Sequence, residues 1–102
     1  DKVKQVLLNI FLNAVAAMKE DGILSISWDR EKENLRIKIS DNGVGIEKMD
    51  LPRIYDPYFT SKPVGTGLGL AVVQKIMEAH GGRIFVESAA GQGTTVSLYF
   101  PL

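Results

Sequence analysis

The chain has 102 residues, of which 45% are hydrophobic, and this is enough for one domain with a single core. Its 12 basic and 12 acidic residues form no single-sign block, which argues against a nucleic-acid footprint or a polybasic membrane surface. The absence of cysteine excludes a disulfide framework, a zinc knuckle and a thiol nucleophile. No apolar run approaches the roughly 18 residues that a membrane span requires.

The first 40 residues predict a helix followed by a hairpin. Apolar residues at positions 3, 6, 7, 10, 11, 14, 15 and 18 have helical spacing, so residues 1–20 are predicted to be a helix that Asp21-Gly22 ends. Alternating side chains predict strands over 23–28 and 35–39, joined by a turn at 30–34.

The second half of the chain predicts the same order of elements after a long connection. Residues 41–66 are rich in glycine, proline and polar residues, and connections of this length are often lids. A second helix is predicted over 66–80, followed by strands over 83–87 and 94–100. Strand–helix–strand alternation is lacking. The pattern therefore favours an α/β two-layer sandwich (α+β), with an antiparallel or mixed sheet and helices on one face.

Asn9 and Asn13 lie four residues apart on the first predicted helix, so their side chains are neighbours on its surface. They lie off the main apolar stripe, and asparagine is a poor helix former because it competes for backbone hydrogen bonds. The pair is either a solvated polar face or a source of amide oxygens for a hard cation. Because Mg²⁺ shares phosphate oxygens and keeps waters, one amide oxygen from the protein can suffice.

The segment Asp41-Asn42-Gly43-Val44-Gly45-Ile46 follows the second predicted strand. Asp-Asn-Gly is a common turn signal, but no strand follows at the spacing that a hairpin needs. Gly43 and Gly45 allow the backbone to approach a ligand closely. Asp41 can accept a hydrogen bond from an exocyclic amine. The segment is therefore either an ordinary turn or part of a site for a nucleotide base.

The segment Gly65-Thr66-Gly67-Leu68-Gly69-Leu70 opens the second predicted helix and is either a flexible hinge or an anion site. It is not a P-loop, because no Gly-Lys pair is present. It is not a Rossmann fingerprint either, because Leu70 takes the third glycine position. Lys62 is either an exposed lysine or a cation directed at phosphate. His80 is expected to interact with the end of the helix rather than to accept a phosphoryl group.

Together these motifs resemble the ATP-binding catalytic domain of bacterial sensor histidine kinases, a branch of the Bergerat-fold ATPases. Each motif is weak alone, but four in this order are highly specific, and the resemblance covers nearly the whole chain. Ala16-Ala17-Met18 and the short lid are most similar to the nitrogen-regulation subgroup. The matching segments are Gln5 to Ala14 (N box), Asp41 to Ile46 (G1 box), Pro57-Tyr58-Phe59-Thr60-Ser61-Lys62 (F box), Gly65 to Leu70 (G2 box) and Gly91-Gln92-Gly93-Thr94.

The resemblance implies a mixed, mostly antiparallel sheet, an ATP lid, and ATP with Mg²⁺ as ligands. Asn13 would ligate Mg²⁺, Asp41 would bind the adenine amine, and Thr94 would support the adenine end through water. Tyr55, with Tyr58 and Phe59, would anchor the lid. No catalytic residue is implied with certainty. The implied nucleotide-binding residues are Asn9, Asn13, Asp41, Gly43, Gly45, Ile46, Lys62, Gly65, Thr66, Gly67, Leu68, Gly69, Leu70 and Thr94.

One departure from the family pattern and one difference from the hydrolysing relatives bear on activity. Ala16 stands where many members carry a basic residue, so Lys62 or a group outside this chain would have to offset phosphate charge. Asn9 stands where the hydrolysing relatives carry the glutamate that activates water, and a neutral amide is no general base. This favours a histidine kinase over an ATP-hydrolysing clamp. Two further functions stay open on the residues alone, namely an anti-sigma-factor serine kinase and a nucleotide-free interaction module.

We expect residues 1–102 to be a single catalytic domain and a fragment that lacks the dimerisation and phospho-acceptor domain. That domain of the same protein would supply the histidine that receives the γ-phosphoryl group, and a response regulator would act downstream. The resemblance further implies a cytoplasmic, monomeric domain without nucleic-acid or direct membrane contact, whether or not the parent protein is membrane-anchored.

Overall fold

The computed structural model describes residues 2–18, 20–55 and 69–102. These residues form α1 (Lys2–Ala17), β1 (Leu24–Glu31), β2 (Asn34–Asp41), α2 (Gly69–Ala79), β3 (Arg83–Ala89) and β4 (Gly93–Pro101). A short 3₁₀ helix, Lys48–Arg53, lies in the connection for which the sequence predicted no regular structure. No helix within the described ranges is long and apolar enough to cross a membrane.

The four strands form one sheet in the order β1-β2-β4-β3, and every neighbouring pair is antiparallel. This confirms the predicted two-layer fold. The sequence left an antiparallel and a mixed sheet open, and the described strands form an antiparallel one. Residues directly opposite each other share a face of the sheet. One such row crosses all four strands and consists of Ile26, Ile39, Val96 and Val86.

The core lies between the two helices and one face of the sheet. Each fully buried aliphatic side chain stabilises the fold by about 1.5–3 kcal/mol. The cluster is formed by Val6 and Ile10 from α1, Val73, Ile76 and Met77 from α2, and Ile39, Val96 and Leu98 from the sheet. The predicted apolar face of α1 is confirmed at Val6, Ile10 and Ala14, which are buried. It is wrong at Val15, which is 61% exposed on the far side of the helix.

Helix α1 ends at Ala17, three residues earlier than predicted. The carbonyl oxygen of Ala17 accepts a hydrogen bond from the backbone N–H of Val44, at 2.9 Å, instead of continuing the helical ladder. A segment far away in the sequence therefore sets where this helix stops.

The first hairpin is tighter than predicted, because β1 continues to Glu31 and β2 starts at Asn34. Lys32, at the turn, has a φ of 54° in the left-handed region. Arg36 stabilises the extended strand ends through a two-bond fork to Asp29, at 2.9 and 2.6 Å, and a 2.6 Å bond to Glu31. These hydrogen bonds hold the pKa of Asp29 below its usual value of 3.8.

Helix α2 ends in a Schellman motif, as the Gly-Gly pair predicts. Gly81 has a φ of +73°, and the N–H groups of Gly81 and Gly82 donate to the carbonyl oxygens of Glu78 and Met77. A ring nitrogen of His80 lies 2.8 Å from the carbonyl oxygen of Ile76. His80 therefore interacts with the end of the helix, as predicted.

Candidate functional site

A pocket opens between α1, the start of α2 and the sheet, next to the loop that follows β2. It opens to bulk solvent and has a water-accessible volume of about 50 Å³. The only charged side chain among its described lining residues is that of Asp41. The lining residues are Ile10, Asn13, Ala14, Ala17, Ile39, Asp41, Gly45, Ile46, Leu70, Val86, Thr94 and Val96.

The floor of the pocket is a strip of sheet that changes from apolar to polar. Ile39, Val96 and Val86 lie in one cross-strand row, and Asp41, Thr94 and Ser88 lie in the row two residues along. Directly opposite residues have Cβ atoms about 4.5–5.5 Å apart, so the three polar side chains are immediate neighbours. The pocket thus offers an apolar slot that ends on a carboxylate and a hydroxyl group.

The carboxylate of Asp41 is oriented by the turn that it begins. Its Oδ1 atom accepts a hydrogen bond from the N–H of Gly43 at 2.8 Å, and the side chain of Asn42 accepts one from the N–H of Ile23 at 2.8 Å. These two bonds tie the turn to itself and to the approach to β1. Asp41 is half-buried and lines the pocket.

The loop after β2 is packed so closely that it needs its two glycines. A Cβ atom at Gly43 would overlap the carbonyl oxygen of Ala17, and one at Gly45 would overlap that of Ala89. Gly45 also has a φ of +72°, which favours glycine. Close packing within the protein therefore accounts for both glycines, and the predicted approach of this backbone to a ligand stays a prediction.

Three hydrogen bonds hold the same loop between distant elements. The N–H of Val44 donates to Ala17 at 2.9 Å, and the carbonyl oxygen of Val44 accepts from the N–H of Gly91 at 2.7 Å. The N–H of Ile46 donates to the hydroxyl oxygen of Ser88 at 2.8 Å. The wall that faces the pocket is therefore fixed by α1 on one side and the β3–β4 hairpin on the other.

The helix α1 brings only one of its two predicted polar residues to the pocket. Asn13 lines it, together with Ile10, Ala14 and Ala17 from the same helix. Asn9 lies one turn earlier, is half-buried, and is not among the lining residues. Within the described ranges, no group of three or more His, Cys, Asp or Glu residues could hold a metal ion. Asn13 brings a side-chain amide to the slot, beside the carboxylate of Asp41 and the hydroxyl group of Thr94.

The other predicted site residues are distributed as follows. Leu70 lines the pocket from the first turn of α2, the helix that Gly69 begins. Gly43 lines a neighbouring acidic cleft that contains Glu20 and Asp21. Tyr55 is half-buried, and burial raises its pKa. The predictions that lie outside the described residues are those on Tyr58, Phe59, Lys62, Gly65, Thr66, Gly67 and Leu68.

The structure adds residues that the motifs did not identify. Ile39, Val86 and Val96 form the floor, and Ala14 with Ala17 forms a wall. Their strand and helix periodicity predicts burial but does not show which part of the core is open. Ser88 was also missed, because its significance comes from its register opposite Thr94 and not from any local motif.

The comparisons with known proteins agree with this geometry. The sequence model of the family described as histidine kinase-, DNA gyrase B-, and HSP90-like ATPase matches residues 1–102. The chain is 45% identical over its full length to the sensor histidine kinase ZraS of Escherichia coli (strain K12). It is 40% identical, over 99% of its length, to the sensor histidine kinase WalK of Bacillus subtilis (strain 168).

Solved structures show the same fold. The nucleotide-free catalytic domain of the histidine kinase ThkA superposes with a TM-score of 0.85 at 35% identity, covering 98% of this chain and 66% of that one. Full-length ShkA in complex with AMPPNP gives a TM-score of 0.86 at 30% identity, covering 98% of this chain and 21% of that one.

The chain spans only part of the curated relatives that it matches, namely 22% of the length of ZraS and 18% of that of WalK. The nitrogen-regulation subgroup stays a prediction.

Proposed function

Because this chain belongs to the family of histidine kinase-, DNA gyrase B- and HSP90-like ATPases, we propose that it binds ATP with Mg²⁺ and donates the γ-phosphoryl group to a histidine. The acceptor histidine would lie on a separate dimerisation domain of the same protein. The observation that carries the proposal is the apolar slot that ends on Asp41 and Thr94. This arrangement suits a flat base that carries an exocyclic amine.

The base would lie against apolar side chains and be read at its amino edge. The floor of Ile39, Val96 and Val86 is apolar, and Ile10 lines the slot from α1. Since Oδ1 of Asp41 already accepts from Gly43, the second carboxylate oxygen is the acceptor that we assign to the amine. A hydrogen bond to a charged group is stronger than one between neutral groups, which favours adenine.

Asn13 is the residue that we assign as the single protein ligand of Mg²⁺. An amide oxygen in the wall of the pocket is a suitable Mg²⁺ ligand, because this ion keeps waters and takes most of its other oxygens from phosphates. Mg²⁺ bound there would offset the charge of the transferring phosphoryl group. Leu70 places the first turn of α2 at the pocket, and we assign the phosphates to residues 65–70 and to Lys62.

The chain is proposed to be the phosphoryl donor and not a hydrolase. Asn9 takes the place of the glutamate that would activate water, and removing general-base assistance costs about 10²- to 10⁴-fold in rate. A domain that holds ATP without activating water preserves the phosphoryl group for transfer. For the whole protein, we also propose an acceptor domain that receives the phosphoryl group and a response regulator that acts downstream. We propose a cytoplasmic position for the present domain.

Phosphate release and ADP binding by the 102-residue chain test the proposal together. We expect ADP binding by calorimetry and phosphate release far below about 1 s⁻¹, the low end of ordinary enzyme turnover. Asn9→Glu should raise release, whereas Gln5→Glu, which adds the same charge one turn earlier on α1, should not. Wild-type release near about 1 s⁻¹ would identify a hydrolase. Absence of ADP binding would leave an interaction module.

A further inference from the structure

Ser88 lies beside the pocket without lining it. On β3 it is directly opposite Thr94 of β4, and Thr94 is directly opposite Asp41 of β2, so the three side chains form one row on the helix-facing side of the sheet. The hydroxyl oxygens of Ser88 and Thr94 are 2.7 Å apart. Thr94 reaches the pocket, and Ser88 touches it only through Thr94 and Ile46.

The hydrogen bonds of Ser88 account for its whole capacity. A serine hydroxyl has one hydrogen to donate and two lone pairs to accept with. Its Oγ lies 3.0 Å from the carbonyl oxygen of Gly93, which can only accept, so Ser88 donates there. The N–H of Ile46, at 2.8 Å, occupies one lone pair. The second lone pair is left for Thr94.

We assign the single hydrogen of Ser88 to the carbonyl oxygen of Gly93, which can only accept. On this assignment Thr94 donates to Ser88 across the 2.7 Å contact between the two hydroxyl groups. The hydrogen of Thr94 is then directed at Ser88, which does not line the pocket, and the hydroxyl oxygen of Thr94 keeps two lone pairs with which to accept. An ionised carboxylate accepts only, so these two side chains together present acceptors and no donor.

We propose that Ser88 is a positioning residue that makes the pocket select a 6-amino purine over a 6-oxo purine. It holds the hydroxyl of Thr94 in the acceptor orientation, and it anchors the neighbouring wall through Ile46. A purine with an amino group at C6 meets acceptors, directly or through one water. A purine with a carbonyl oxygen at C6 would place a hydrogen-bond acceptor against the acceptors of Thr94 and Asp41. The inference rests on the proposed nucleotide function and adds to it the residue that enforces the choice of base.

The test compares ADP with IDP by calorimetry on the 102-residue chain. IDP has a carbonyl oxygen in place of the amino group at C6 and carries a hydrogen on the adjacent N1. Diphosphates avoid turnover. In Ser88→Ala the hydroxyl of Thr94 is free to turn and donate, so the ratio of the IDP to the ADP dissociation constant should fall about 3- to 10-fold, the worth of one neutral hydrogen bond. Ser88→Thr, which keeps a hydroxyl, should restore most of the ratio.

A matched control separates this role from simple packing. Ser40 and Thr95 form a similar hydroxyl pair at 2.8 Å on β2 and β4, but one residue along and therefore on the opposite face of the sheet. Ser40→Ala should leave the ratio unchanged. In a Thr94→Val background, Ser88→Ala should have no further effect on the ratio, because Ser88 acts through Thr94.

The outcomes are distinguishable. If Ser88→Ala weakens ADP and IDP by the same factor, Ser88 only supports the loop at Ile46, and the inference is wrong while the proposed function stands. If the wild-type chain binds neither diphosphate, both are wrong. If Ser88→Ala does not fold, Ser88→Cys gives the same comparison, because a thiol fills the space with a weaker hydrogen-bonding group. An unchanged ratio in the folded cysteine variant would also overturn the inference.

Discussion

Replacing Asp41 by asparagine separates its two roles in the structure. Its Oδ1 atom accepts from the N–H of Gly43 at 2.8 Å, and an amide oxygen can still accept that bond, so the turn should survive. The second oxygen becomes an NH₂ group, which is a donor facing the amine of adenine. The lost bond to a charged acceptor is worth about 1.5–3 kcal/mol, so ADP should bind about 10- to 150-fold more weakly.

IDP should respond differently to the same change, because its carbonyl oxygen at C6 can accept from the new amide. Calorimetry with both diphosphates should therefore show a large loss for ADP and little loss, or a gain, for IDP. Asp29→Asn is the matched control, because Asp29 pairs with Arg36 on the opposite face of the sheet. A folded Asp41→Asn chain with unchanged ADP affinity, or with equal losses for both nucleotides, would refute the assignment of Asp41 to the amine.

Three further experiments test other parts of the structure. Asn13→Ala should remove most of the Mg²⁺ dependence of ATP binding measured by titration. If the variant kept the Mg²⁺ dependence of the wild-type chain, the metal ligand would have to lie elsewhere. Gly45→Ala and Gly91→Ala each introduce a side chain at positive φ, which costs about 1–2 kcal/mol of stability. Only the alanine at position 45 would also overlap the carbonyl oxygen of Ala89, so the urea midpoint of Gly45→Ala should fall further than that of Gly91→Ala. Equal shifts of the two midpoints would contradict the clash. Since hydrogen bonding holds the pKa of Asp29 below 3.8, its stabilising effect is present above that pH and lost as the pH falls through the lowered value. The difference between wild-type and Asp29→Asn urea midpoints should therefore be present at pH 7 and shrink at about pH 3, and a constant difference would exclude ionisation as its cause.

The elements that the sequence predicted well are those with strong internal periodicity. Helix α1 and both hairpins follow from apolar spacing, although their bounds differ from the predicted ones. Their order predicted an antiparallel or mixed sheet with helices on one face, and the described strands are antiparallel. Asp41, Asn13 and Thr94 do meet in one pocket, although they lie on three different elements.

The remaining features depend on contacts between distant parts of the chain. Asn9 and Asn13 have the same residue type and helical spacing, but only Asn13 borders the pocket, because the position of the sheet decides which arc of α1 is covered. The same arc leaves Val15 exposed. Local propensity cannot show that Val44 ends α1, or that Ser88 faces Thr94.

The loop held at Val44 also has a consequence for the order of events in folding. Its bonds join Ala17 near the start of the chain, Val44 near the middle and Gly91 near the end. Contacts of such long sequence separation require large loops to close and tend to form late. A nucleotide that needs the finished wall would stabilise the native state without stabilising the folding transition state. It would then slow unfolding and leave the refolding rate unchanged.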